Sequence, residues 1–249
     1  MLELKRKADR FYFPVFRHPV ARILKFRNVQ VYLEALPKGG KILDYGSGDR
    51  PYEVFLLTRF DEYVAGDHPE ANAAHLKRPD LYIENNKIEL PDESVDCVML
   101  TEVLEHCYEP QAALQEIFRV LKPGGHVVGS VPYAVPEHEQ PYDFFRYTSF
   151  ALRNLARDAG LEVDRLDYVG DMVGVHALVA GRLGDVVTRA LRKLKLTPLA
   201  WISNFFVRLP EVLYLCLIKT PLSPQRLPYF RDFPMGFTFQ FCKPEQASD

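Results

Sequence analysis

Residues 41–48 read KILDYGSG, a short apolar run that leads into a turn with two glycines. The apolar run, residues 41–45, predicts a buried strand. Glycines directly after such a strand allow the backbone to approach a bound ligand closely. The stretch therefore indicates an α/β fold whose ligand lies at the carboxyl end of the first strand.

Apolar runs continue along the chain and alternate with helical patterns. The predicted strands after the first are 63–67, 81–84, 96–100, 126–131 and 161–168. Apolar residues at three-and-four spacing predict a helix over 113–121 that Pro123-Gly124-Gly125 closes, and a second helix that stops at Gly160. Strands that alternate with helices predict a doubly wound parallel sheet.

The segments on either side of this core have a different character. Residues 1–40 are basic and helical, and 171–235 hold long helical patterns followed by a proline-rich loop. Phenylalanines then alternate with polar residues, which predicts a half-buried strand that returns to the same sheet. We predict four segments: an N-terminal extension (1–40), a core (41–170), a helical cap inserted into it (171–235), and a final strand with a tail (236–249).

The composition excludes several classes of protein. Hydrophobic residues make up 47% of the 249 residues and charged residues 26%, which rules out wholesale disorder. The net charge of −2 disfavours a nucleic-acid binder, since such proteins carry a basic excess. The four cysteines form no C-x-x-C pair, which argues against a structural zinc site or a disulfide framework. The charged first residues form no signal peptide, so we expect a cytoplasmic protein.

Acidic residues near the ends of the first strands suit a nucleoside ligand. Asp67 ends the second strand, where a carboxylate accepts both hydroxyls of a ribose; the alternative is an aspartate that caps the next helix. Glu84 and Asn85 follow the third strand and are placed to meet an adenine. Asp44 precedes the first glycine by two residues, where its charge suits a cationic or ammonium-bearing ligand.

Two further strings carry a resemblance to a known family. Residues 102–106 read EVLEH and residues 119–125 read RVLKPGG. In this order after the glycine turn, they resemble the class I S-adenosylmethionine-dependent methyltransferases, in particular the methyltransferase type 11 group. The resemblance implies S-adenosylmethionine as the cofactor. It also implies a Rossmann-like sheet of seven strands, whose last strand, near Gly236, is antiparallel.

The resemblance also implies roles for residues at matched positions. Asp44, Gly46 and Gly48 would hold the methionine moiety of the cofactor, and Asp67 would bind the ribose hydroxyls. Arg50 stands where the family usually has a third glycine, a variant that we do not interpret as loss of binding. The full set of cofactor-binding candidates is Asp44, Tyr45, Gly46, Ser47, Gly48, Asp67, His68, Glu84, Asn85, Thr101 and Glu102.

Residues 132–148, after the fifth strand, concentrate the catalytic candidates. For methyl transfer a protein supplies positioning, and a base when the acceptor is a hydroxyl or ammonium group. We predict His138 as that base because the ordinary pKa of histidine lies near neutrality, while Asp143 and Arg146 orient the acceptor or each other. The alternative is that Asp143 and Arg146 form an ion pair that fixes the loop, with His138 merely exposed.

Glu102, Glu105 and His106 have a spacing that would place them on one helical face, which His138 can approach from the next loop. The set resembles the magnesium site of small-RNA 2′-O-methyltransferases, which also carry E-x-x-E-H. The same string occurs in members of the type 11 group with no known metal. We therefore predict no metal and include His106 among the catalytic candidates.

The flanking segments bear on the acceptor. Through residue 28 the chain has eight lysines and arginines against two acids, and residues 182–206 combine an apolar helical stripe with basic and aromatic residues. Such segments can lie on an anionic membrane; the alternative is a cap whose basic residues are simply solvated. We expect oxygen methylation of a small-molecule, glycan or lipid-linked acceptor, no nucleic acid, and peripheral contact with the inner membrane face through 1–28 and 182–206.

Two other classes share part of this pattern. A nicotinamide-dependent oxidoreductase has a similar glycine turn and would change the spectrum of a reduced nicotinamide, which we do not expect. A methyltransferase fold that binds its cofactor without turnover would keep Asp44, Gly46, Gly48 and Asp67. Those four residues indicate cofactor binding and leave turnover open.

Overall fold

The computed structural model describes residues 19–69, 76–220 and 223–245. Most of the predicted basic segment, residues 1–18, lies outside this part of the chain. The described residues divide into one unit of 27–167 with 237–245 and another of 19–26 with 168–236. The segment boundaries at 41, 171 and 236 stay predictions.

The first of these units is built on a seven-stranded sheet in the order β3-β2-β1-β4-β5-β7-β6. The strands are β1 Lys41–Tyr45, β2 Glu62–Asp67, β3 Leu81–Tyr82, β4 Val95–Thr101, β5 Leu121–Pro132, β6 Glu162–Val169 and β7 Gly236–Cys242. Strands β1 to β5 pair in parallel. The end of β7 meets the start of β5, since the N–H of Gly124 donates to the carbonyl of Lys243, so β7 is antiparallel. The predicted fold is confirmed.

The strand order places the ligand crevice. The chain moves outward from β1 to β3 and then returns to the other side of β1 as β4. Such a reversal leaves a crevice outside the carboxyl ends of β1 and β4, where open α/β sheets bind ligands. Residues of both strands are almost wholly buried, because helices cover both faces of a parallel sheet.

Helices flank the sheet and also form most of the second unit. They are α1 Pro19–Ala35, α2 Glu53–Leu56, α3 Pro110–Val120, α4 Ser149–Asp158, α5 Met172–Lys193, α6 Thr197–Leu217 and α7 Pro228–Arg231, with 3₁₀ turns at Leu104–His106 and Pro224–Arg226. The α3 helix buries its predicted apolar face, which includes Leu114 and Ile117. The α4 helix ends just before Gly160, whose φ of +83° turns the chain as predicted.

Two predictions about these elements are wrong. The helix α3 ends at Val120, and Pro123–Gly125 belong to β5, where Gly124 has a φ of +75°. The strand begins early because Leu121 already pairs with Val95, next to an irregularity in the ladder. The strand β7 is buried on both faces, because the α1 side chain of Asn28 donates to Thr238 and covers the polar side.

Helices α5 and α6, joined by a three-residue turn, form a helical hairpin over residues 172–217. The side chain of Asp171 accepts a hydrogen bond from the N–H of Gly174 and so caps α5. No helix in the described ranges has both the length and the apolar character that crossing a membrane requires.

Candidate active site

The glycine turn after β1 is fixed to the end of β2. The N–H groups of Gly46 and Ser47 both donate to the carbonyl oxygen of Gly66, at 2.8 and 3.1 Å. Gly46 has a φ of +77°, and a Cβ there would lie 2.3 Å from the side chain of Val103. Both its backbone conformation and its surroundings therefore require glycine.

Asp67 lies beside this turn at the carboxyl end of β2. Its buried carboxylate accepts hydrogen bonds from the N–H of Gly48 at 3.1 Å and from the N–H of His68 at 2.8 Å. The hydroxyl of Ser47 is also buried and has no hydrogen-bond partner among the described residues. A buried hydroxyl is costly to leave unsatisfied, so this corner of the crevice fits a polar ligand.

Asp44 is a buried carboxyl group whose ionisation depends on its surroundings. Burial raises its pKa to about 7, the nearby Asp67 contributes in the same direction, and a hydrogen bond from Tyr63 opposes the shift. The Tyr63 hydroxyl donates to Oδ2 of Asp44 at 2.8 Å. A cation at this position would favour the carboxylate form.

Arg50 has a backbone conformation that is more usual for glycine. Its φ is +56°, the left-handed region in which glycine is usual. Its side chain extends to Asp80 at 2.7 Å and to the carbonyl of Arg78, so it ties the turn to the segment before β3. In the sequence, Arg50 stands out only as a departure from the family pattern, and no motif there indicates Tyr63.

The remaining cofactor-binding candidates lie at the ends of β3 and β4. Glu84 and Asn85 are exposed in a tight turn after β3. Thr101 is the last residue of β4. The next residue, Glu102, has a φ of +56°, and its carboxylate accepts a hydrogen bond from the hydroxyl of Ser130 at 2.8 Å.

The expectation that Glu102, Glu105 and His106 share one helical face is wrong. Only Leu104–His106 form a 3₁₀ turn, and Glu102 precedes it in a left-handed conformation. The side chain of Glu102 is directed to Ser130 of β5, whereas Glu105 is fully buried next to His106.

The loop between β5 and α4 is held by an ion pair. The Asp143 carboxylate, only 2% exposed, accepts two hydrogen bonds from Arg146, at 2.7 and 2.6 Å. The same guanidinium donates to the carbonyl oxygens of Val135 and Pro136. Arg146 keeps the pKa of Asp143 well below its ordinary range, so the carboxylate stays ionised.

The imidazole of His138 lies beside this ion pair and is 38% exposed. Its Nδ1 is 3.2 Å from Oδ2 of Asp143 and 3.3 Å from the carbonyl oxygen of Pro136; Nη2 of Arg146 lies farther away, at 3.4 Å. Two acceptors at the shorter distances favour a proton on Nδ1. The other ring nitrogen, Nε2, then carries the free lone pair.

His106 reaches the same place from the turn after β4. Its Nδ1 lies 2.6 Å from the carbonyl oxygen of Tyr142, which orients the ring, and Nε2 lies 3.7 Å from Oε1 of Glu105. The His106 and His138 rings are 4.8 Å apart. One ligand atom each of Glu105, His106 and His138 lies within 4.8 Å of the others. This group can relay a proton or hold a cation.

Comparisons with known proteins agree with this architecture. A family model described as "Methyltransferase domain" matches residues 16–166. A protein of Mycolicibacterium smegmatis (strain ATCC 700084 / mc(2)155), named "Probable S-adenosylmethionine-dependent methyltransferase", is 30% identical over 183 residues, 68% of this chain and 71% of that protein.

Solved structures show the same fold. The Haloferax volcanii protein in complex with the Trm112 methyltransferase activator has a TM-score of 0.59 at 19% identity, covering 99% of this chain and 98% of that one. A Thermotoga maritima protein, titled "SAM-dependent methyltransferase, possible histamine N-methyltransferase", has a TM-score of 0.54 at 15% identity, covering 97% and 98%. At these identities the likeness concerns the fold alone.

Proposed function

The chain belongs to the class I S-adenosylmethionine-dependent methyltransferases, and we propose that it methylates an oxygen of a small-molecule, glycan or lipid-linked acceptor with His138 as the general base. The enzyme uses S-adenosylmethionine and acts on a small-molecule or macromolecular acceptor. The observation that carries the proposal is the orientation of His138, whose Nδ1 faces Asp143 and Pro136 and leaves Nε2 available.

The cofactor supplies an electrophilic methyl group on its sulfonium when it is bound. In the proposal, Asp67 accepts the ribose hydroxyls, while Asp44 and the glycine turn hold the methionine moiety. Glu84 and Asn85 meet the adenine. The buried Ser47 hydroxyl supports this assignment, since a polar ligand would satisfy it. The other members of the predicted set, Tyr45, His68, Thr101 and Glu102, lie at the ends of β1, β2 and β4.

His138 would accept the proton of the acceptor hydroxyl on Nε2 as the oxygen attacks the methyl group. A positive charge then develops on the imidazole, and the ionised Asp143 at Nδ1 stabilises it. Arg146 holds Asp143 in place, so Asp143 and Arg146 act as positioning residues. His106 packs against His138 and limits how its ring can turn.

Methyl-labelled S-adenosylmethionine, incubated with cell extract and purified enzyme, tests this proposal by mass spectrometry of the labelled products. A labelled oxygen-methyl product is expected. His138→Ala should lower its rate of formation about 100-fold or more while cofactor affinity stays near the wild-type value. His126→Ala, at a histidine of β5 with no role in the proposal, serves as the matched control. Full activity of His138→Ala, or label on carbon only, would contradict the proposal.

A divalent cation bound by Glu105, His106 and His138 is the second candidate arrangement, and their mutual distances favour it. Both imidazoles donate their other N–H to oxygen atoms, as metal-bound histidines usually do. Dialysis against a chelator separates the candidates. If His138 acts as a general base, the enzyme keeps its activity after dialysis. If the three residues bind a cation, the enzyme loses activity and regains it with added Mg²⁺ or Mn²⁺.

Peripheral contact with a membrane through residues 182–206 is part of the same proposal, because a lipid-linked acceptor resides there. Basic and aromatic residues in that range support it.

A further inference from the structure

We propose that the helical hairpin, residues 172–217, is a membrane-docking element that lies in the interface of an anionic bilayer. This rests on the proposed function, in which the acceptor is met at a membrane, and it identifies the surface that makes the contact. The observations that carry it are an apolar outer face, a local excess of positive charge, and an inner face already occupied by packing.

The inner face of the helical hairpin holds its own helices together. Thr188 Oγ1 on α5 lies 3.2 Å from Ser203 Oγ on α6. The hydroxyl of Tyr214 donates to the buried Asp171 carboxylate at 2.8 Å. A Cβ on Gly174 would lie 2.7 Å from the ring of Tyr214, so the glycine allows α6 to approach closely. The outer face is not needed for this packing.

That outer face is apolar and exposed. Trp201 is 75% exposed, Phe205 67% and Phe206 62%. Among the residues of the helical hairpin whose side chains the structure describes, the exposed large hydrophobic ones are Val179, Leu183, Val186, Val187, Leu194, Leu196, Leu199, Trp201, Ile202, Phe205, Phe206, Leu209, Val212 and Leu213. So many exposed apolar residues along two adjacent helices indicate a binding partner, because leaving them in water is unfavourable.

The charge of the helical hairpin favours an anionic partner. Residues 172–217 contain six lysines and arginines against two acids, although the whole chain has a net charge of −2. Arg192, Lys193 and Lys195 are exposed at the turn between α5 and α6, where they alternate with the exposed Leu194 and Leu196. At such a site the leucines can enter a bilayer while the long basic side chains reach the headgroups.

A bilayer fits these features better than a protein partner. Lysine is depleted in the apolar core of protein interfaces, whereas basic residues beside tryptophan and phenylalanine are typical of helices in a membrane interface. An open apolar groove also runs between α5 and α6, lined by residues that include Ala177, Ala180, Leu213 and Leu217. A space with this lining suits an acyl chain.

Flotation of the full-length protein with lipid vesicles tests the inference. Vesicles of phosphatidylcholine alone are compared with vesicles that contain roughly 30 mol% phosphatidylglycerol. We expect the wild-type protein to bind the anionic vesicles and to lose binding as salt increases. The triple substitution Trp201→Gln, Phe205→Gln, Phe206→Gln should weaken binding by about tenfold or more. Replacement of Arg192, Lys193 and Lys195 by glutamine should remove the preference for phosphatidylglycerol.

The matched control replaces exposed hydrophobic residues elsewhere, Val54→Gln, Leu57→Gln and Phe150→Gln, and should float as the wild type does. Calorimetric binding of S-adenosylmethionine by each variant verifies folding and separates the two proposals. A protein that binds cofactor but not anionic vesicles overturns this inference and the proposed membrane contact of residues 182–206, but not the proposed methyl transfer. A triple variant that floats like the wild type overturns this inference. A dimer that the triple substitution dissociates also overturns it, since a second copy would then cover the face.

Discussion

Asp44 is a buried carboxyl group that we propose to hold the methionine moiety of the cofactor, so its charge state should affect cofactor affinity. Burial raises its pKa to about 7, so its two forms interchange near neutral pH. Affinity for S-adenosylmethionine should rise between about pH 6 and 7.5, because the carboxylate form attracts the cationic methionine end. Calorimetric titration across this range measures the effect.

Two variants make that prediction specific. Asp44→Asn should remove the pH dependence of the affinity. Tyr63→Phe should move its midpoint to higher pH, since it removes a hydrogen bond that favours the carboxylate. A wild-type affinity that does not change with pH would contradict the role of Asp44.

The raised pKa of Asp44 also makes the free energy of unfolding depend on pH. Stability falls as the pH rises, whereas cofactor affinity rises. The folded protein holds the Asp44 proton more tightly than the unfolded chain does, because its pKa in the fold is raised. This contribution to stability is present below the ordinary pKa of about 4 and is lost as the pH rises through about 7.

Single residues differ in how far sequence could identify them. The positions of Gly46 and Asp67 at the edge of the crevice could be predicted, because each lies at the end of an apolar strand. Tyr63 and Arg50 could not, because their contacts are with Asp44 and Asp80, 19 and 30 positions away in sequence. Only the fold brings those pairs together.

The loop between β5 and α4 depends on the pair of Asp143 and Arg146. Replacing Asp143 by alanine should lower the free energy of unfolding by about 2–4 kcal/mol, because it leaves a partly buried guanidinium without its carboxylate. Denaturant unfolding at pH 7 measures this loss, and Asp158→Ala, at an exposed ion pair, is the control. Equal stability of the two variants would contradict the structural role.

The contribution of the Asp143–Arg146 ion pair to the free energy of unfolding decreases in acid. The pKa of Asp143 is lowered in the fold, so the pair's contribution is complete above the ordinary pKa of about 4 and is lost as the pH falls further. The difference in the free energy of unfolding between the wild type and Asp143→Ala should therefore become smaller in acid.

The glycine turn after β1 cannot accept a side chain at Gly46. Gly46→Ala should destabilise the fold by about 2–4 kcal/mol and abolish cofactor binding, since it combines a positive φ with a clash against Val103. Gly124→Ala is the matched control, because its φ is also positive but its Cβ would make only ordinary contacts. Thermal unfolding should show a larger loss of stability for Gly46→Ala than for Gly124→Ala, and calorimetry should show loss of cofactor binding for Gly46→Ala. If Gly124→Ala destabilises the fold as much, the clash with Val103 is not the cause.

The bounds of a strand could be predicted from a continuous apolar run. They could not be predicted, nor could the burial of a strand, where contacts with neighbouring elements determine them. The continuous apolar run of β1 gave its bounds correctly, since both faces of a central parallel strand are buried. The alternation in β7 suggested one exposed face, but Thr238 on that face contacts Asn28 of α1. The turn residues after α3 suggested a loop, yet the ladder with β4 begins at Leu121.

At the scale of the whole molecule, the core and its flanks differ in what sequence reveals. The methyltransferase family is evident because EVLEH and RVLKPGG follow the glycine turn in a fixed order. Residues 168–236 carry no such strings, and their apolar pattern suits both a buried cap and a surface for lipid. Side-chain exposure on α5 and α6, which sequence does not give, is what favours lipid.

We infer above all that the glycine turn and Asp67 bind S-adenosylmethionine. Isothermal titration of the purified protein with this cofactor, and with its demethylated product, measures that binding. We expect one saturable site per chain, with affinity that Asp67→Ala weakens by about 1–3 kcal/mol and Asp158→Ala leaves unchanged. Absence of binding heat from both compounds, or an Asp67→Ala variant that binds like the wild type, would contradict it.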